Sequence, residues 1–137
     1  MSHLTTHVLD AVTGTPAAGV AVTLSSREDG GWEPLASGVT DADGRLGELG
    51  PDRLAAGEYQ VRFDTGMYFQ RRGVESFYPE VVIAFSVGNG AHYHVPLLLS
   101  PFAYSTYRGR PERRHRPTRR PGLACGTRRS PRGRTPG

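Results

Sequence analysis

Residues 79–100 read PEVVIAFSVGNGAHYHVPLLLS, and the pattern of this segment is the strongest indication of the fold. Apolar residues recur at every second position over 79–87 and again over 91–100. Because successive side chains of a strand point to opposite faces, this alternation predicts two half-buried strands. Val87-Gly88-Asn89-Gly90 lies between them and predicts a hairpin turn. The side chains predicted to face the core are Val81, Ile83, Phe85, Val87, Tyr93, Val95, Leu97 and Leu99.

The same alternation continues outward in both directions along the chain. It predicts further strands over 3–10, 19–27, 32–40, 58–64 and 102–108, with a very short one beginning at Arg45. Glu28–Gly31 and Asp41–Gly44 are predicted to be tight turns, and residues 66–73 to form a short helix. Roughly seven or eight strands, with turns about every 8 to 12 residues, predict an all-β, two-sheet Greek-key sandwich.

Charge divides the chain in two. Its 137 residues suit one domain, and their formal net charge is +4. Residues 1–109 contain seven Arg and twelve Asp or Glu, whereas residues 110–137 contain ten Arg and one Glu. An abrupt change of this kind indicates a boundary. We therefore predict a β-sandwich domain over 1–109 and an Arg/Pro/Gly-rich tail over 110–137.

The tail lacks the material for a hydrophobic core. Five Pro, four Gly and no aromatic residue occur after Gly109, so we expect disorder there. All seventeen basic residues of the chain are Arg, which suggests a GC-rich coding sequence, and the tail has the composition that translation in a shifted frame would give. A nucleic-acid arm is the alternative. Without aromatic side chains for base stacking, we do not expect nucleic acid as a partner.

The cysteine count and the N-terminus bear on the compartment. Cys125 is the single cysteine, which excludes an intrachain disulfide and a cysteine-based metal site. The first ten residues lack the basic and apolar regions of a secretory signal, and no apolar run approaches the roughly 20 residues that span a bilayer. We expect a cytoplasmic protein with no membrane partner.

Three histidines and an arginine are the candidate chemical groups. His92 and His94 lie two residues apart on one predicted strand, so both leave the face opposite to Tyr93. By the same parity His7 faces away from the core. Surface histidines are often solvated bystanders, but several imidazoles beside Arg45 favour proton transfer near neutral pH.

The chain resembles the transthyretin-related 5-hydroxyisourate hydrolases. The residues that carry the resemblance are His7–Asp10, Asp43–Arg45, Glu75–Glu80 and, above all, HYHVPLLLSPFAYSTYRG over 92–109. It covers essentially all of residues 3–109. The closing Tyr107-Arg108-Gly109 is specific to the enzyme branch, as opposed to the hormone carrier transthyretin.

The resemblance implies a fold, an assembly and a reaction. The fold is a transthyretin-like sandwich, assembled as a homotetramer (a dimer of dimers) with active sites at the dimer–dimer interface. The reaction is hydrolysis of 5-hydroxyisourate, the product of urate oxidation, to 2-oxo-4-hydroxy-4-carboxy-5-ureidoimidazoline, without a cofactor. This would make the protein a cyclic amide hydrolase of purine degradation. The alternative is a non-catalytic, transthyretin-like module that binds a small ligand.

The resemblance also implies site residues. His7, Arg45, His94 and Tyr107 are the implied catalytic residues, and His92 joins His7, Arg45 and Tyr107 in binding substrate. Either His7 or His94 could be the general base, and His92 could equally be a spectator that tunes its neighbour. Histidines can also bind zinc, but we expect no functional metal.

One departure from the family affects the site. Family members usually end with a serine directly after the Tyr-Arg-Gly, near the active site, whereas this chain continues with Arg110. We expect the sandwich and the tetramer to survive this change, with reduced activity.

Overall fold

The computed structural model describes residues 2–90 and 92–109, which contain nine strands and one helix. In chain order these are β1 (Leu4–Asp10), β2 (Thr15–Pro16), β3 (Ala21–Glu28), β4 (Gly31–Val39), β5 (Arg45–Leu46), β6 (Gly57–Phe63), α1 (Thr65–Arg71), β7 (Val81–Val87), β8 (Tyr93–Ser100) and β9 (Ala103–Thr106). The predicted all-β sandwich with one short helix is confirmed. The tail over 110–137 lies outside the described residues, so the predicted domain division stays a prediction.

The strands form two sheets. The first has the order β2-β1-β8-β9, with β5 also paired to β1, and the second has the order β4-β3-β6-β7. β1 and β8 are parallel, and every other pair among the described strands is antiparallel. The first and last parts of the domain therefore meet in the middle of the first sheet.

Apolar side chains from both sheets fill the space between them. Along β1, Leu4, Thr6 and Val8 are buried, while the residues between them are half-buried on the other face. Tyr59, Val61 and Phe63 of β6 and the four predicted positions of β8 are buried as well. On β7, Val81 and Val87 are buried, and Ile83 and Phe85 pack against the core. The core faces predicted from alternation are thus confirmed.

The turn after β7 differs from its prediction. β7 pairs with β6 in the second sheet, whereas β8 pairs with β1 and β9 in the first. Val87–Gly90 is therefore a connection between the two layers and not a hairpin. The alternation of both strands is satisfied because their apolar faces oppose each other across the core. Tyr93 anchors the connection, since its hydroxyl oxygen accepts hydrogen bonds from the backbone N–H groups of Gly88 (2.8 Å) and Gly90 (3.0 Å).

Other predicted boundaries shift by a few residues. β2, which lies between the strands predicted over 3–10 and 19–27, adds a two-residue ladder to the end of β1. β7 begins at Val81, two residues after Pro79. β9 covers only Ala103–Thr106, because the chain then leaves the ladder and rejoins β8 at a single bridge between His94 and Gly109. The Glu28–Gly31 hairpin is confirmed, with positive φ angles at Asp29 (45°) and Gly30 (81°) that suit a two-residue turn.

Candidate functional site

The strand pairing brings four of the five candidate side chains to one surface. In the register of β1 against its neighbours, Thr5 lies opposite His94 and His7 lies opposite Arg45. His92 comes two residues before His94 and leaves the same side. We call this surface the histidine face; its members are Thr5, His7, Arg45, His92 and His94. The sequence correctly placed these three histidines and Arg45 on one outer surface.

Thr5 joins two of the imidazoles. Its Oγ1 lies 3.0 Å from Nε2 of His92 and 2.7 Å from Nδ1 of His94. All three side chains are half-buried. Alternation along β1 puts Thr5 on the same face as His7, but the sequence did not identify it as a site residue. Alternation along the strand shows that the Thr5 side chain points outward. Only the parallel register of β1 and β8 shows that it contacts His94.

His7 is oriented by the turn that precedes Arg45. Its Nε2–H donates a hydrogen bond to the carbonyl oxygen of Asp43 (3.1 Å), because a carbonyl can only accept. In a neutral ring this leaves the lone pair on Nδ1. Any proton that His7 accepts from a substrate or from water would therefore go to Nδ1.

Asp41 closes this turn and positions Arg45. Its Oδ1 accepts hydrogen bonds from the backbone N–H groups of Arg45 (3.0 Å) and Asp43 (2.8 Å). The hydrogen bond from Arg45, followed by the one from Asp43, favours the ionised carboxylate and holds the pKa of Asp41 below its usual value. Gly44 completes the turn and donates its N–H to the carbonyl of Asp41 (2.8 Å).

Gly44→Ala is expected to destabilise the protein, because the turn needs a glycine at this position. Its φ is +74°, and a Cβ there would overlap the carbonyl oxygen of Val8. We expect Gly44→Ala to cost about 1–3 kcal/mol of unfolding free energy through backbone strain alone. For a domain of this size that corresponds to a drop in Tm of roughly 5 °C or more, measured by thermal unfolding. Gly47→Ala is the matched control, since a Cβ at Gly47 meets nothing within 4 Å. Equal Tm values for the two variants would contradict this account of the turn.

The surroundings of His92 favour its neutral form. Partial burial lowers the pKa of His92, and the nearby His3 acts in the same direction. His3 itself is buried and has a structural role. Its Nδ1 accepts the backbone N–H of Leu54 (2.7 Å), so its Nε2–H donates to the carbonyl oxygen of Gly90 (2.9 Å).

The Tyr107–Gly109 segment borders the histidine face. The N–H of Gly109 donates to the backbone carbonyl of His94 (2.9 Å), and a Cβ on Gly109 would come within 2.7 Å of the His94 ring and 3.0 Å of Pro96. The guanidinium of Arg108 lies 4.7 Å from the centre of the Tyr93 ring, a cation–π contact that fixes the segment. Only a residue without a side chain fits against His94 at this point.

Tyr107 is near His94 but not on the histidine face itself. It is 60% exposed and, with His94, lines a cleft of about 330 Å³ at the edge of the sandwich, whose other wall is β7. Neither His7 nor Arg45 lines that cleft. Within a single chain, the implied catalytic residues therefore lie in two places. His7, Arg45 and His94 are on the open sheet face, and Tyr107 is in the cleft at the edge of the sandwich, which His94 also lines.

Two features are absent from the described residues. Within residues 2–90 and 92–109, no group of three or more His, Cys, Asp or Glu side chains is arranged to hold a metal ion. In the same ranges, no helix combines the length and the apolar character needed to cross a bilayer.

Comparison with known proteins gives consistent matches. The model of the HIUase/Transthyretin family matches residues 4–109. A 5-hydroxyisourate hydrolase of Salmonella typhimurium is 49% identical over 108 residues, which cover 77% of this chain and 79% of the relative. The solved 5-hydroxyisourate hydrolase of Klebsiella pneumoniae has a TM-score of 0.71 and 46% identity, and the match covers 80% of this chain and all of that one.

Transthyretins match as well. Sea bream transthyretin in complex with thyroxine has a TM-score of 0.76 at 39% identity, with 82% of this chain and 99% of that one covered. The transthyretin-like fold implied by the resemblance is therefore confirmed. The higher identity to the hydrolases agrees with the side chains found on the histidine face.

Proposed function

The chain belongs to the HIUase/Transthyretin family, and we propose that it hydrolyses 5-hydroxyisourate. One observation carries the proposal. Two imidazoles that can exchange protons, His7 and His94, lie on the same sheet face as the guanidinium of Arg45, at neighbouring register positions. Hydrolysis of a ring amide needs these groups: a base for water and a cation for the developing oxyanion.

The proposed reaction is attack of water on a ring amide carbonyl of the substrate. The base removes a proton as the water oxygen bonds to the carbonyl carbon. The C–N bond then breaks, the carbonyl carbon becomes a carboxylate, and the leaving nitrogen takes up a proton. His7 would act through Nδ1, whereas His94 would act through Nε2, since its Nδ1 faces Thr5. Both histidines are therefore candidates for the base.

The remaining implied residues receive supporting roles. The planar fork of Arg45 would orient the substrate carbonyls and stabilise negative charge on oxygen. Tyr107 would donate a hydrogen bond to the ring or to the leaving nitrogen. His92, whose pKa is lowered by burial, would act through its neighbour. The proposed product is 2-oxo-4-hydroxy-4-carboxy-5-ureidoimidazoline, a step of urate degradation that needs no cofactor.

We also propose that the active form is a homotetramer in the cytoplasm. The histidine face is open in one chain, and Tyr107 lies around the edge of the sheet, so a second chain is needed to enclose a substrate. Phe77 and Phe102 are 69% and 61% exposed near the β9 edge, which supports burial of this region in an assembly. The single cysteine suits a reducing compartment. Light scattering on the purified protein measures the oligomeric state.

The second candidate function is binding of a small ligand without turnover. The structural match to a thyroxine-bound transthyretin favours this alternative. The polar, ionisable character of the histidine face counts against it, because a carrier of an apolar aromatic ligand has no need of three imidazoles and a guanidinium on one surface.

A spectrophotometric assay separates the two functions. Freshly generated 5-hydroxyisourate is mixed with the purified full-length chain, and its decay is followed against the uncatalysed decay. A saturable acceleration supports the hydrolase. Decay at the uncatalysed rate, together with tight binding of thyroxine in a calorimetric titration, would support the binding module instead.

The chain after Gly109 is predicted to lower activity. Residues 110–137 lie outside the described part of the structure. The backbone N–H of Gly109 is hydrogen-bonded to the carbonyl of His94, so residue 110 follows directly after a residue that contacts the site. We expect a variant that ends at residue 110, with Arg110→Ser, to show a higher kcat/KM for 5-hydroxyisourate than the full chain. A truncated variant that is no faster, at an equal oligomeric state, would show that the tail does not interfere.

A further inference from the structure

The hydroxyl of Thr5 lies between two imidazoles, and this position restricts where protons can be. A threonine hydroxyl has one proton to donate and two lone pairs that accept. Nε2 of His92 and Nδ1 of His94 are both within hydrogen-bond distance of it. Because the hydroxyl can donate to only one of them, at least one ring must donate its own N–H to Thr5. The tautomers of the two histidines are therefore coupled through this residue.

We propose that Thr5 is a positioning residue that fixes His94 as the Nδ1–H tautomer, by accepting that N–H while donating its own proton to Nε2 of His92. The inference rests on the proposed function in one respect: a His94 that acts as a base needs its lone pair on Nε2. In this arrangement Nδ1 of His94 is protonated and directed at Thr5, and Nε2 is the basic nitrogen.

The coupling accounts for His92 as well. For His92 to accept from Thr5, its Nε2 must be unprotonated at neutral pH. This requires a neutral His92 ring. Partial burial lowers the pKa of His92, and the nearby His3 acts in the same direction, so the neutral ring is favoured. His92 then acts as the second acceptor of a short chain that runs from His94 through Thr5 to His92.

The arrangement also stabilises the charged state of His94 during turnover. When Nε2 takes a proton from water, the ring becomes an imidazolium while its Nδ1–H remains donated to Thr5. That hydrogen bond becomes charge-assisted and therefore stronger, without any movement of the backbone. Proton balance is simple: one proton moves from water to Nε2, and none leaves Nδ1. The role matches that of the group that orients the histidine in other hydrolytic sites, but it is performed by a neutral hydroxyl.

The test compares Thr5→Val, which keeps the shape and removes the hydroxyl, with Thr5→Ser, which keeps the hydroxyl. Thr23→Val is the control, because Thr23 is a half-buried threonine of β3 in the other sheet. Long-range ¹H–¹⁵N spectra of the labelled full chain report the tautomer of His94 without any substrate; His94→Asn assigns the signals. Steady-state kinetics with 5-hydroxyisourate give kcat and KM separately.

We expect the Nδ1–H tautomer in the wild-type chain and in Thr5→Ser, and an increased Nε2–H fraction in Thr5→Val. We expect Thr5→Val to lower kcat roughly 10- to 100-fold, the usual loss when a group that orients a functional histidine is removed. KM should change little, and Thr5→Ser should recover most of the rate. Thr23→Val should behave as wild type.

Three results would overturn the inference: an Nε2–H tautomer of His94 in the wild-type chain, an unchanged tautomer and rate in Thr5→Val, or a Thr5→Ser variant as slow as Thr5→Val. The last would mean that the methyl packing matters and the hydroxyl does not. If the wild-type chain does not hydrolyse 5-hydroxyisourate at all, the proposed function fails, and the tautomer spectra alone then decide the inference.

Discussion

His94→Asn is expected to lower kcat for 5-hydroxyisourate by roughly 10²- to 10⁴-fold, the usual contribution of general acid–base catalysis. The asparagine amide occupies the place of Nδ1, so it can keep the contact with Thr5 that the histidine makes at 2.7 Å. It has no equivalent of Nε2. The loss would therefore measure the basic nitrogen alone, with the local packing kept. Stopped-flow decay of the substrate, with thermal unfolding as a check of the fold, provides the measurement.

His7 allows the complementary experiment. Its Nε2–H is bonded to the carbonyl of Asp43, and Nδ1 is the nitrogen available for catalysis. His7→Gln places its amide near the position of Nε2 and removes Nδ1. His7→Asn places its amide near the position of Nδ1 and removes Nε2. An amide nitrogen cannot take up a proton, so if His7 is the base, both variants should lose activity. His7→Gln, which keeps a donor for the carbonyl of Asp43, isolates the loss of the basic nitrogen. Full activity in both His94→Asn and His7→Gln would exclude both histidines as the base.

Arg45→Lys is the second large effect. Lysine keeps the positive charge but loses the planar fork of donors that can engage two oxygens at once. We expect kcat/KM to fall by roughly 10²-fold, similar to the loss of one oxyanion donor in other hydrolases. The backbone of Arg45 is held by Asp41, so the turn itself should persist.

Arg62→Lys is the matched control for this experiment. Arg62 lies on β6 in the other sheet and forms an exposed ion pair with Glu80 at 3.4 Å. An exposed pair of this kind contributes little to stability, so this variant should keep the wild-type rate and Tm. An Arg45→Lys enzyme with wild-type kcat/KM would show that charge alone is required at position 45.

Much of this architecture could be predicted from local alternation. Parity along 91–100 placed His92 and His94 on the face opposite to Tyr93, and both do reach the same hydroxyl. It also placed His7 outside the core. These predictions succeed because a strand with one buried face leaves no freedom for its alternate residues.

What alternation could not predict is pairing between distant strands. The parallel register of β1 with β8 is set by the packing of the two sheets, and it alone brings Thr5 against His94. The same limit explains the turn at Val87–Gly90. Its glycines indicate a reversal of direction, but whether the next strand pairs beside β7 or crosses to the other sheet depends on the whole core. Tyr107 is a third case, since it follows the end of β9, where the regular ladder stops.

The pairing of β1 with β8 also has a consequence for biosynthesis. Thr5 and His94 are separated by 89 positions, so β1 leaves the ribosome long before its central partner exists. Loops of this length are slow to close, and topologies rich in distant pairings fold slowly. During translation β1 must wait with the backbone N–H and C=O groups of one edge unpaired, an interval in which nascent chains can associate wrongly. His7 and Arg45 can meet through the earlier pairing of β1 with β5, but His94 joins them only through this closure, so the complete histidine face cannot form before β8 pairs with β1.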